Sequence, residues 1–329
     1  MLQKTQLEKN TLNIGQVKLE SIVMIAPMAG ITDTILRQII RMFSKKCLLS
    51  SEMLSSEALK SSQNKSILDH NKIEYPLSFQ ISGHKPELMA EAARKLENIS
   101  TIIDINMGCP VSKIVKNNEG AKLMTDLSLA SKIISSVKKA VNIPVTIKCR
   151  LGWDFNSKNY IEFAKMAENS GADAIIVHAR TKSQAYSGLA DWHAVGEIKN
   201  SVNIPVIGNG DINSAQKALE CLKISKCDGI AVGRGILGDP ALIYRIEKYI
   251  DSGIILPELT IQERLDIALL HCKKEMEYRG GIHGIKFMRK FFGWYIKNIE
   301  EAAKYRRELV KFNTLTEIED LFDQIKNSY

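Results

Sequence analysis

Eight short apolar runs, rich in β-branched residues and each followed by an amphipathic stretch, recur in order along this chain, and no other feature narrows the fold as much. They are IVMIAPM (22–28), CLLSSEM (47–53), PLSFQIS (76–82), IIDINMG (102–108), PVTIKCR (144–150), AIIVHAR (174–180), PVIGNGD (205–211) and GIAVGRG (229–235). A run that stays apolar at successive positions suits a parallel strand buried on both faces rather than a strand with one wet face. Helical patterns such as PELMAEAARKLENIS and NYIEFAKMAENSG lie between the runs, and the second closes on Gly171, a common helix terminator. Eight strand–helix repeats predict the α/β class, and a (β/α)₈ TIM barrel more than a doubly wound sheet. The segment TLNIGQVKLES ahead of the first run predicts a hairpin that turns at Gly15 and closes the bottom of the barrel. After Pro240 the pattern changes to helices over 260–278, 284–298 and 300–327 with no strand between, and Pro257 marks a linker. The expected architecture is a barrel with its hairpin over 1–250 and a smaller all-helical domain over 251–329.

Composition sets the partner classes. The chain has 329 residues, 45% hydrophobic and 25% charged, which is enough to bury one large core and a satellite. Its six cysteines show no CxxC pair and no zinc-ligand spacing, so neither a disulfide framework nor a metal site is expected, and the reading is a reducing, cytoplasmic compartment. The opening MLQKTQLEKN is polar, unlike a signal peptide. No apolar run approaches the roughly 18 residues of a membrane span, and a monomer free of the membrane is expected. The net charge of +8 is compatible with a polyanionic partner without requiring one.

Chemistry in a TIM barrel gathers at the C-terminal strand ends. Here those ends read APMAG, SEM, FQ, NMGCP, KCR, HAR, GNGD and GRG. The last two follow strands seven and eight, where many barrels hold a phosphate. Glycine lets backbone amides approach an anion, and Arg234 adds a fixed charge, although glycines can also simply turn the chain. GRGILG (233–238) matches a dinucleotide-binding fingerprint, but it ends the strand series where a Rossmann site needs a further parallel strand. Period-two geometry puts Lys148 with Arg150, His178 with Arg180, and Asp104 with Asn106 on shared faces. Such charges at the end of an apolar run need partners or a ligand. Internal ion pairs would satisfy them, and a bound anion accounts better for the excess of cations. Cys109 lies just beyond strand four between Gly108 and Pro110. An ordinary thiol keeps its proton at neutral pH, so a cysteine placed there suits proton donation better than attack as a thiolate.

Together these segments resemble the tRNA-dihydrouridine synthase family. The resemblance rests on APMAGITD (26–33), QISG (80–83), DINMGCPVSKIVKNNEGAKLM (104–124), TIKCRLGW (146–153), VHARTKSQAYSG (177–188), DW (191–192), GNGDI (208–212) and VGRG (232–235), in the family's order. MRKFFGWYIK (288–297) looks most like the B-type bacterial members. The resemblance implies an FMN-dependent enzyme that uses NADPH as a transient reductant and reduces uridine to 5,6-dihydrouridine in the D-loop of tRNA. Pro27, Met28 and Ala29 would line the flavin, Gln80 would bond its edge, and Lys148 and His178 would contact the ring or its ribityl chain. Asn209, Gly210, Asp211, Gly233 and Arg234 would form the phosphate side. Asn106, Arg150, Arg180 and Gln184 would position the uracil, and Cys109 would protonate C5 as hydride arrives at C6. Two departures stand out: Asn118 replaces a glycine usual in the loop after Cys109, and Ala179 stands where glycine is common. Asn tolerates left-handed backbone angles, so the loop is expected to keep its shape.

Between Arg279 and Arg307 eight basic residues face only Glu300 and Glu301, a net charge of +6, with Phe291, Phe292, Trp294 and Tyr295 interleaved. This predicts an RNA grip, while the aromatics read equally well as helical core. The competing functions are an FMN-dependent oxidoreductase of a free pyrimidine, similar to dihydroorotate dehydrogenase, and a noncatalytic RNA-binding barrel. The basic tail argues against the first, and Cys109 with the glycine loops argues against the second.

Overall fold

The computed structural model describes residues 10–61 and 68–329. The polar N-terminal stretch over 1–9 lies outside the described residues. Strands β1 (Leu12–Ile14) and β2 (Val17–Leu19) pair antiparallel around a turn at Gly15 and bury Leu12, Ile14 and Leu19. The Gln16 side chain donates to the Asn142 carbonyl at 2.5 Å, and Gly15 packs beside Pro144 and Asp173. Those residues immediately precede two barrel strands, so the hairpin caps the N-terminal end of the barrel, as expected.

Each of the eight apolar runs holds one strand: β3 (Val23–Ile25), β4 (Leu49–Ser55), β5 (Leu77–Ser82), β6 (Ile102–Asn106), β7 (Val145–Cys149), β8 (Ala174–His178), β9 (Val206–Asn209) and β10 (Gly229–Val232). They pair in parallel in the order β3-β10-β9-β8-β7-β6-β5-β4. A parallel bridge between Met24 and Leu48, with Ile25 N–H donating to the Leu48 carbonyl at 2.9 Å, joins β3 to the start of β4 and closes the barrel. Strands such as β5, β6 and β8 are buried at every position, because one face fills the barrel and the other meets the surrounding helices. A helix follows every strand, and the last of these, Leu242–Ser252, stops at Gly253 in a left-handed conformation.

Beyond it lie four helices: Ile261–Arg279, Ile282–Tyr295, Ala302–Leu309 and Leu315–Lys326. The single helix expected over 300–327 is therefore two. Thr314 accepts from Glu317 N–H while the Glu317 carboxylate accepts from Thr314 N–H, so this capping box starts a new helix inside the expected one. The tail is bound to the loop after β3 and to the segment that precedes β5. Arg279 bridges Asp33 and Glu275 at 2.5 Å each, Lys290 donates to the Gly30 carbonyl, and Tyr278 O–H donates to Asp69 at 2.8 Å. Phe291, Phe292 and Tyr295 are buried, so three of the four interleaved aromatics belong to the helical core and offer no surface to RNA. No described helix is long and apolar enough to cross a membrane, and no group of three metal-ligating side chains occurs among the described residues.

Candidate active site

A cavity of about 610 Å³ opens at the C-terminal mouth of the barrel. Its wall takes Pro27 and Met28 from the loop after β3, Lys148 from β7, His178 from β8, Asn209, Gly210 and Asp211 from the end of β9, and Gly233 and Arg234 from the end of β10. The helical tail closes one side with Arg264, Trp294 and Lys297. Nine of the residues singled out for the cofactor therefore share one wall, while Ala29 lies exposed at the rim and Gln80 is buried beneath.

The loops after β9 and β10 are built to approach an anion. Among the described residues, the amides of Gly210, Asp211 and Gly233 donate to no backbone carbonyl or side chain. Unpaired donors beside a cavity want an acceptor from a ligand or solvent. A Cβ on Gly235 would collide with the Ile212 carbonyl, so the two loops can press together only because that residue is glycine. Arg234 is exposed at this edge, with its guanidinium 4.3 Å from the centre of the Tyr186 ring.

Beneath the cradle lies a chain of polar groups. Lys148 Nζ donates to Asn209 Oδ1 at 3.2 Å, and Asn209 Nδ2 donates to the Ala231 carbonyl at 2.7 Å. Burial, aided by the Arg150 charge, pulls the Lys148 ammonium down to about 8. Burial and then the charges of Lys148, Arg150, Arg180 and Arg234 push the His178 imidazole far below its ordinary range, so it is neutral at physiological pH. Arg180 Nη1 lies 3.4 Å from His178 Nε2, and a guanidinium can only donate, which leaves the ring proton on Nδ1. Asp104 accepts from Gln80 Nε2 and Thr146 Oγ1 at 2.7 Å each, and burial pushes its carboxyl up to about 6. Gln80 Oε1 in turn accepts from Asn106 Nδ2 at 2.8 Å.

Cys109 is the one cysteine of six that is not fully buried. Asn106 Oδ1 accepts from its amide at 3.0 Å and from that of Gly108 at 3.3 Å, which fixes the turn that carries the thiol. The following loop folds back, with Ala121 N–H donating to the Cys109 carbonyl at 3.0 Å. Gly120 sits at φ 61, and a Cβ there would lie 2.7 Å from the Cys109 carbonyl oxygen. Asn118 takes φ 60, so the residue that departs from the usual glycine supplies the left-handed turn expected of it.

The four side chains singled out for the uracil make extensive contacts within the protein. Asn106 anchors the Cys109 turn as described. Arg150 is buried and donates from Nε to the Gly108 carbonyl at 2.8 Å and from Nη1 to the Thr181 and Ala185 carbonyls at 2.9 Å. Arg180 is buried too, with Nη2 donating to both Asp211 carboxylate oxygens at 2.8 and 2.7 Å and to the Gly188 carbonyl at 2.6 Å. Gln184 Oε1 accepts from Thr181 N–H at 2.8 Å. These residues tie the loops after β6, β7 and β8 to one another. Sequence reasoning missed Tyr186, although it lies inside the segment VHARTKSQAYSG, and Arg264; it placed Trp294 and Lys297 in the RNA grip, whereas through the docking of the tail they line the cavity.

A closed parallel barrel with a polar cavity at its C-terminal mouth defines an enzyme of the (β/α)₈ class. Its fold is shared with a 2-naphthoyl-CoA reductase complex (14% identity, TM-score 0.58, covering 74% of this chain and 52% of that one). A histamine dehydrogenase from Rhizobium sp. 4-9 is similar to the same degree (14%, TM-score 0.57, covering 80% and 50%). A family model described as dihydrouridine synthase (Dus) matches residues 24–329. Among curated proteins, a probable tRNA-dihydrouridine synthase of Rickettsia bellii is 40% identical over 94% of this chain and 96% of its own length. The tRNA-dihydrouridine synthase B of Vibrio vulnificus is 37% identical over 95% and 99%. The chain belongs to the dihydrouridine synthase family.

Proposed function

We propose that this protein reduces uridine to 5,6-dihydrouridine within tRNA, using FMN and NADPH. The observation that carries the reading is the partly exposed Cys109, fixed by Asn106 at the barrel mouth where the anion-accepting loops also open. The residues fit a flavin mononucleotide. Three unpaired amides and Arg234 suit its phosphate, Lys148 offers a cation, and Pro27 and Met28 offer an apolar wall. When bound, FMN supplies the hydride chemistry that couples NADPH oxidation to reduction of the uracil C5–C6 bond. Cys109 supplies the accompanying proton to C5. Asn106 and Arg150 act on the base through the Cys109 turn that they hold, and Arg180 and Gln184 through the loop over 181–190. The neutral His178 adds no further positive charge.

Lys148 gives this reading a pH signature. Its ammonium, free of ligand, titrates at about 8 because it is buried beside Arg150. A bound anionic cofactor favours the charged form and raises that value, so binding above this pH requires proton uptake. FMN affinity is therefore expected to be flat below pH 8 and to fall as pH rises past it. Fluorescence titration from pH 6.5 to 9.5 checks this, and Lys148→Met is expected to remove the fall. A wild-type affinity that rises with pH contradicts the assignment.

The tail supports an RNA substrate, with fewer residues than the sequence suggested. Arg279, Arg289, Lys290 and Lys304 have partners within the protein. Lys286, Lys297, Arg306 and Arg307 are exposed and in no ion pair among the described residues. Exposed unpaired cations bind phosphates by releasing counterions. Protein supplied with NADPH is expected to turn over on a tRNA transcript and not on free uridine. Equal turnover on both would favour the free-pyrimidine oxidoreductase.

A further inference from the structure

Across the barrel mouth from the docked tail, three loops meet around Trp153. Lys182 Nζ lies 4.2 Å and Lys122 Nζ 5.2 Å from the centre of its ring. Lys182 N–H donates to the Gly152 carbonyl and Ser183 N–H to the Trp153 carbonyl, both at 2.9 Å, which binds the loop after β8 to the loop after β7. Lys122 follows Ala121, whose amide holds the Cys109 carbonyl, so the third loop is the one that carries the thiol.

Neither lysine has a carboxylate partner among the described residues. Two ammonium groups held against one ring repel one another, weakly where solvent screens them. The indole face offsets part of that cost, because its quadrupole attracts cations. An unbalanced cation pair, held in place by an aromatic ring and attached to the reacting loop, is preorganised for an anion. Lys113 and Lys116, exposed on the same thiol-bearing loop and also without an ion-pair partner among the described residues, extend the positive surface. Two apolar side chains at the loop tips beside it, Val111 and Phe155, are 55% and 65% exposed. A surface of that kind, cationic with exposed apolar tips, fits a nucleic-acid backbone whose bases are splayed from their stack.

We propose that Lys122 and Lys182, positioned by Trp153, form a phosphate clamp that grips the tRNA backbone beside the nucleotide presented to Cys109. The proposal rests on the tRNA reading above and adds a second point of grip opposite the helical tail. Two separated contacts fix the orientation of the RNA over the mouth, which a single basic surface cannot do. Trp153 acts as a positioning residue, since it reaches the phosphate only through the lysines.

The test is tRNA binding to the flavin-loaded full chain at several salt concentrations. Lys122→Ala with Lys182→Ala is expected to raise Kd about tenfold near physiological salt and to flatten the slope of log affinity against log salt by about 1.4, the loss of two contacts to a single strand. The Lys122→Arg with Lys182→Arg variant is expected to keep the wild-type slope. Trp153→Leu is expected to weaken binding while the slope stays near wild type, because the charges remain, and Trp153→Phe should restore affinity. If wild type binds and reduces tRNA but the double alanine variant keeps its affinity and slope, the clamp is overturned alone. If wild type neither binds nor reduces tRNA, the functional reading falls and the clamp falls with it.

Discussion

Cys109→Ala is expected to let NADPH reduce the bound flavin at the wild-type rate, while reoxidation by tRNA slows by roughly 10²-fold or more, the usual scale for a positioned general acid. The two halves separate because reduction of the cofactor moves no proton to uracil C5. Asn106 and Ala121 hold the turn through the Cys109 main chain, so the substitution removes the thiol without removing its scaffold. Cys109→Ser is expected to stay slow, since a hydroxyl is a far weaker acid than a thiol. Stopped-flow absorbance of the flavin separates the half-reactions. Unchanged reoxidation by tRNA in Cys109→Ala would remove the cysteine from the chemistry.

Arg180→Ala is expected to destabilise the protein by about 2 kcal/mol, the scale of losing hydrogen bonds to a charged partner, and to lower the melting temperature by several degrees. The Arg180 side chain is 2% exposed, and its Nη2 grips both Asp211 oxygens. Asp211 also accepts from Ala190 N–H at 2.8 Å and lines the cavity, so the loss should spread to the cofactor loop and reduce flavin retention. A residue serving only to contact the uracil would leave both the melting temperature and the flavin content unchanged and lower only tRNA turnover. That pattern would contradict the structural role assigned here.

The barrel was legible because burial on both faces forces continuous apolar runs, and seven of the eight barrel strands fall inside those runs, with β4 ending two residues beyond its run at Ser55. The cavity wall was legible for a similar reason: residues at the ends of parallel strands share one mouth whatever else the chain does. What single residues do there was less visible. Arg150 and Arg180 look the same in sequence as cations awaiting a ligand, and only the path of the loops after β6 and β8 shows that backbone carbonyls and Asp211 take up their donors. The tail shows the same limit. Phe291, Phe292 and Tyr295 were ambiguous because a helix crowded with aromatics reads alike as core or as stacking surface, and packing decides. The break before Thr314 was readable from its Thr-x-x-Glu signature and was hidden by the charged stretch around it. Trp294, Arg264 and Lys297 could not be placed at the cavity at all, because the Asp33–Arg279 pair that docks the tail spans distant parts of the chain.

The most direct test of the central claim is a single turnover. Flavin-loaded protein, reduced anaerobically by one equivalent of NADPH and freed of excess nucleotide, is mixed with an unmodified tRNA transcript, and the RNA is digested for mass spectrometry. The proposed function predicts that the flavin reoxidises and that one uridine per reduced flavin gains two hydrogens. Reoxidation without any change in the RNA, or a purified protein that neither carries nor takes up flavin, would contradict it.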